Sequence, residues 1–144
     1  MLLAGGLMWM LDRWLPLAYW IEPPWNWFGV VPGVLGVSVA AAALLGFHRA
    51  QTTLNPVDLS KSTHLVTDGI FRVSRNPMYL GLSLLLTGWA LWLGSASAWC
   101  LPPLFVAVMT WLQIMPEERA LDGLFGAPYA AYRERTARWL GVAQ

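Results

Sequence analysis

Phe28–Phe47, FGVVPGVLGVSVAAAALLGF, is a stretch of twenty residues without one Asp, Glu, Lys or Arg. At about 1.5 Å per residue, a helix of that length is about 30 Å long, the thickness of a bilayer's hydrocarbon core. Small residues punctuate it: Gly29, Gly33, Gly36, Ser38 and Ala40 to Ala43. In lipid such residues let a neighbouring helix backbone approach closely rather than weakening the helix. Gly29 and Gly33 have the spacing of a helix-dimer motif, a weak signal because the pattern is common in membrane segments. The stretch predicts a transmembrane span over about 27–47.

Three further runs lack charge: Leu2–Leu11, Pro77–Leu93 and Leu101–Met115. The chain has 144 residues, one domain by length, and is 57% apolar with only 12% charged. A helix of a soluble bundle keeps a polar face toward water, and these runs have none. The expected fold is therefore all-α: a polytopic membrane helix bundle of about four transmembrane helices plus a C-terminal amphipathic helix. It forms one integral membrane domain over 1–144, with spans at about 2–20, 27–47, 77–93 and 99–115. The first span carries Asp12 and Arg13 near one end and is the least regular. It has no basic segment ahead of its apolar run, and Trp9, Trp14 and Trp20 suit a membrane interface, so it reads as a span and not a cleaved signal.

Charge placement sets the expected orientation. Of nine Lys and Arg, only Arg13 lies outside segments 48–76 and 116–144. The positive-inside rule places both segments, a loop over 48–76 and helices over 116–140, in the cytoplasm together with both termini. A net charge of +1 gives no electrostatic case for nucleic acid as a partner. The single cysteine, Cys100, excludes an intrachain disulfide and reads as a small packing residue.

Between the second and third spans lies the most polar part of the chain, ending in His64–Gly81, HLVTDGIFRVSRNPMYLG. A connection of about thirty residues in so small a protein is usually functional. Its apolar residues, Leu65, Val66, Ile70, Phe71 and Val73, predict that it folds back on the membrane face. Asn76–Pro77 is a good helix start, an N-cap followed by a residue with pre-set φ. Pro116–Glu117–Glu118 is another, with acids near the positive end of a helix that ends at Gly126. From Pro128 a helix would place Tyr129, Tyr132, Thr136, Trp139 and Leu140 on one face.

No HExxH, GxSxG, P-loop or CxxC occurs, and two histidines alone make no metal centre, so no metal is expected. What remains is a constellation in two pieces. Arg72, Arg75, Asn76 and Tyr79 lie at one end of the third span; Gln113, Glu117 and Glu118 lie at one end of the fourth. A tight hairpin at Gly94–Ser97 joins these spans, which predicts that the two ends are neighbours. Singly, each residue has a plain structural explanation: headgroup anchor, helix-dipole partner or interfacial aromatic.

Together, LVTxGxFRxSRNPMYLG and, after a helical hairpin, PEERALxxxFGxxYxxYxxRxxRW resemble the isoprenylcysteine carboxyl methyltransferase and phospholipid N-methyltransferase group of integral membrane enzymes. The resemblance covers about Leu65 to Leu140. It implies an enzyme that binds S-adenosylmethionine at the cytoplasmic surface and methylates a lipophilic small molecule or lipid arriving from the bilayer. It further implies a cofactor pocket lined by Thr63, His64, Leu65, Val66, Phe71, Asn76, Pro77, Met78 and Tyr79, with Glu117 holding the charged methionine end. Arg75 would be a polar anchor at the reaction centre, with Gln113 and Glu118 beside it, and Glu118 or His64 would be the available base. Arg75→Ala is then expected to fold but not turn over.

The isoprenylcysteine branch has an arginine one turn before the first glutamate, where this chain has Gln113. A neutral amide does not make the bidentate bond an arginine offers a carboxylate, so the implied acceptors extend to an amine, thiol or other lipophilic nucleophile. That branch also has His where this chain has Asn76, Tyr where it has Phe71, and its loop histidine at the position of Thr63. Two other readings stand beside this one: an NADPH-dependent membrane reductase of the sterol-reductase type, and a non-enzymatic membrane scaffold using Arg and Trp as anchors.

Overall fold

The computed structural model describes residues 1–49 and 65–140, and the described residues form an all-helical fold without strands. Six α-helices follow one another: α1 (Leu2–Trp14), α2 (Val30–Arg49), α3 (Pro77–Leu93), α4 (Leu101–Met109), α5 (Met115–Phe125) and α6 (Ala127–Arg135). A 3₁₀ turn, Trp25–Gly29, leads into α2, and a π-helical turn, Thr110–Ile114, joins α4 to α5. Among the described residues, two helical runs are long and apolar enough to cross a membrane: Trp25–Arg49, with mean hydropathy 2.2, and Ala98–Phe125, with 1.5. Pro77–Leu93 is a shorter apolar helix. The chain divides into two compact units, Met1–Ser38 with Gly81–Met109, and Val39–Leu80 with Thr110–Gln144.

In the first unit, Met8, Leu86, Ala90, Ala98 and Leu101 make the core. Gly29, just before α2, and Gly36 within it allow close helix approach as expected, whereas a Cβ on Gly33 would meet open space. A Cβ on Gly36 would lie 2.6 Å from the Gly81 carbonyl oxygen, and one on Gly88 would lie 2.6 Å from that of Gly29. Gly29 and Gly36 are seven residues apart, two helical turns, so this seam is a within-chain helix crossing at backbone contact. Outside it, Val30, Val31, Val34, Leu35 and Val37 are exposed, an apolar face suited to lipid and not to water.

The first helix is shorter than the expected span over 2–20, stopping at Trp14. Pro16 lacks the N–H that would bond the carbonyl of Asp12, and it pushes Leu15 out of helical geometry. After a tight turn at Leu17 the chain runs beside the turn after α3: Trp20 N–H donates to the Gly94 carbonyl at 2.9 Å, and Ala96 N–H to that of Ala18 at 2.8 Å. Gly94 has φ +77°, the left-handed geometry that closes the expected hairpin.

In the second unit, Ala43 of α2, Phe71, Tyr129 and Tyr132 form a buried cluster. Leu65, Val66 and Ile70, in the described end of the polar connection, pack against this cluster. Residues 69–72 make a 3₁₀ turn that aims Phe71 inward, edge-on to Phe47 with centroids 4.9 Å apart. The Tyr132 hydroxyl fixes the turn by donating to the Phe71 carbonyl at 2.7 Å.

Two departures from expectation here have one kind of cause, a backbone group lacking its helical partner. The helix does not break at Pro116 but widens just before it: proline cannot donate to the carbonyl of Leu112, and the π turn accommodates both the missing bond and the ring. At the other end, α6 stops at Arg135 and Thr136 is extended, so Trp139 and Leu140 do not continue a helical face. The carbonyls of Arg133 and Thr136 instead accept hydrogen bonds from Arg75, at 3.1 and 2.7 Å.

Candidate active site

The site lies in the second unit and is built at the start of α3 and the start of α5. Neighbouring acids on α5 have different surroundings, because successive helix residues point about 100° apart.

Glu118 is buried between two arginines. Arg75 donates through Nε and Nη2 to Oε1, at 3.2 and 2.9 Å. Arg138 donates through Nε and Nη2 to Oε2, at 3.1 and 2.7 Å. The Arg75 side chain is only 2% exposed. Its backbone N–H also donates to the Ala137 carbonyl at 2.9 Å. The Arg138 carbonyl accepts from Ser74 Oγ at 3.2 Å and from Asn76 Nδ2 at 3.1 Å. Residues 136–139 are thus a strap stitched to 74–76 and, through Glu118, to α5.

Burial alone would raise the Glu118 pKa, but the hydrogen bonds and charges of Arg138 and Arg75 outweigh it and hold the carboxyl below its usual value. A carboxylate held in this way is a weaker proton acceptor than a free one, which argues against Glu118 as a base. Tyr129 is pushed up to about 12 by burial and by the Glu118 charge, and burial raises Tyr132 as well, so both remain neutral phenols.

A pH dependence follows from Glu118. A lowered folded pKa stabilises the fold at all pH values above the unfolded carboxylate value of 4.5, and that contribution is lost as pH falls through the lower folded value. The unfolding temperature in detergent should therefore be lower below about pH 4.5, with a smaller acid-side drop in Glu118→Gln; equal drops in both proteins would refute the assignment.

Glu117 is the opposite case. It is half-buried, and its Oε1 accepts from Tyr79 Oη at 2.9 Å and from Gln113 Nε2 at 2.6 Å. Both donors are neutral. Among the described residues Glu117 has no cationic partner, unlike its neighbour. A half-buried carboxylate oriented by neutral donors, with no cation of the described residues paired with it, suits a cationic ligand.

The predicted site residues therefore fall into three groups. Tyr79, Gln113 and Glu117 meet directly, as the hairpin argument required. Leu65, Val66 and Met78 pack around Phe71 in the apolar cluster, with Pro77 buried and Asn76 tied to the strap. Arg75 joins Glu118 in the clamp. Thr63 and His64 lie outside the described residues. Sequence reasoning missed Arg138 as the second partner of Glu118, twenty residues away, because no helical or strand spacing links them; the RxxRW of the C-terminal motif was its one trace. The expectation that Arg75→Ala would leave the fold intact changes with this geometry, since Arg75 is buried and bonds Glu118 and the carbonyls of Arg133 and Thr136 together.

Long apolar helices, with a polar cluster where α3 and α5 begin, mark a helical membrane-type protein. The chain belongs to the phospholipid methyltransferase family, whose model matches residues 25–128, and so to a class of membrane methyltransferases. It is 31% identical over 116 residues to protein-S-isoprenylcysteine O-methyltransferase A of Arabidopsis thaliana, across 76% of this chain. The chain spans 56% of that plant protein's length. It is also 43% identical over 63 residues to an uncharacterized protein of Haemophilus influenzae, covering 44% of this chain and all of that protein. No solved structure matches.

Proposed function

We propose that this chain is a multi-pass enzyme that transfers the methyl group of S-adenosylmethionine to a lipophilic acceptor entering from the bilayer, at the cytoplasmic face. The observation that carries the reading is Glu117: a half-buried carboxylate, held by Tyr79 and Gln113 and without a cationic partner among the described residues. The residues fit the cofactor's polar end. Glu117 matches an α-ammonium, and the first N–H groups of α3, beyond Pro77, suit its carboxylate. Leu65, Val66, Phe71 and Met78 form an apolar cluster close in sequence to the start of α3.

The cofactor supplies a methyl group already activated by its sulfonium, which explains why the chain carries no strong acid–base motif. The protein's part is alignment and exclusion of water. Tyr79 and Gln113 orient Glu117; Arg75, Glu118 and Arg138 hold the strap and the two helix starts around it. Gln113, already a donor to Glu117, offers an acceptor no charge-assisted bond, which favours a neutral or cationic nucleophile over a carboxylate.

Calorimetry of the detergent-solubilised protein with S-adenosylhomocysteine and with NADPH tests the reading. Binding of the first alone is expected, and binding of NADPH alone would replace it with a reductase. Transfer of labelled methyl from the cofactor to a crude lipid extract then identifies the acceptor.

A further inference from the structure

The strap has one contact that the clamp does not explain. Trp139 Nε1 donates to Thr110 Oγ1 at 3.1 Å, and Thr110 is the first residue of the π turn. Gln113 lies within that turn, and Glu117 on the first turn of the helix that follows it. A π turn accommodates one extra residue, so every side chain beyond it is rotated by about 100° from where an uninterrupted α-helix would aim it. The bond from Gln113 to Glu117 at 2.6 Å, and that from Tyr79 at 2.9 Å, are thus made in the register that the π turn sets.

Pro116 explains why a standard turn is disfavoured here, but not where the wide turn begins. Trp139 supplies a tertiary contact at that starting point. Its neighbour Arg138 is bonded to Glu118 beyond the turn, so two consecutive strap residues grip the helix at the turn's first residue and past its end.

We propose that Trp139 is a positioning residue: by bonding Thr110 it holds the π turn in the register that places Gln113 and Glu117 for ligand binding. The ligand part of this rests on the methyltransferase reading, whereas the register part does not.

Trp139→Phe removes the N–H and keeps the ring's packing. It is expected to weaken S-adenosylhomocysteine binding about tenfold in calorimetry and to shift the Gln113 side-chain amide resonance in labelled protein in micelles. Thr110→Ser, which retains the hydroxyl, should keep wild-type values in both measurements. Thr110→Val should reproduce Trp139→Phe, with the double variant no worse than either, and it carries the test if Trp139→Phe fails to fold. An unmoved Gln113 amide in Trp139→Phe or Thr110→Val overturns the proposal, as do additive losses of affinity, which would mean the two residues act independently. If the wild-type protein does not bind S-adenosylhomocysteine, the methyl-donor reading fails, and the Gln113 amide still decides whether Trp139 sets the register.

Discussion

Arg75→Ala is expected to lower the stability of the folded protein by about 3–5 kcal/mol, the cost of leaving one partner of a buried ion pair uncompensated. Glu118 would keep only Arg138, and the carbonyls of Arg133 and Thr136 would lose their donor. The strap should loosen with it, since the Arg75 side chain is the point where loop, strap and α5 meet. Thermal unfolding in detergent measures the stability loss, and limited proteolysis after Arg138 should report the loosening. Arg75→Lys keeps the charge but not the fork that reaches Glu118 and two carbonyls together, so it should recover part of the stability only. An unchanged unfolding temperature in Arg75→Ala would show that the clamp contributes nothing. The expected loss of turnover in this variant is then a consequence of lost structure, in contrast to the next case.

Glu117→Gln should leave the unfolding temperature near that of the wild type and reduce S-adenosylhomocysteine affinity about 30- to 100-fold, the magnitude of one charge-assisted hydrogen bond. The substitution keeps the side chain's shape and leaves an oxygen for Tyr79 or Gln113, but removes the charge that a ligand's ammonium would meet. Tyr79→Phe and Gln113→Ala remove one neutral donor each and should cost less, several-fold apiece. Calorimetry across the set gives the order. If Glu117→Gln binds as tightly as the wild type, the carboxylate is a surface acid at a helix start and the proposed cofactor site is wrong.

The pair of variants separates two glutamates that are indistinguishable in the sequence. Both follow Pro116 in the first turn of a helix, and helix-dipole reasoning treats them alike. Their difference arises from what the fold brings to each: two guanidiniums from positions 75 and 138 on one, and a phenol and an amide from 79 and 113 on the other. Of these, Gln113 was within reach of local reasoning, being four residues before Glu117, and Tyr79 was reachable through the hairpin. Arg138 was not, because the segment carrying it is not helical and no periodicity relates it to its partner.

The uncharged run from Phe28 to Phe47 pointed by itself to a helical membrane protein, since it is long enough to span a hydrocarbon core and has no polar face for water. Local chemistry determined the helix start at Pro77 and the stops at Gly94 and Gly126, because proline and glycine act through their own backbone geometry. The tertiary structure alone decided where α6 gives way to a strap and which acid is neutralised. Each of these depends on a partner for a backbone carbonyl or a buried charge, and such partners come from distant positions that only the folded chain brings within hydrogen-bond reach.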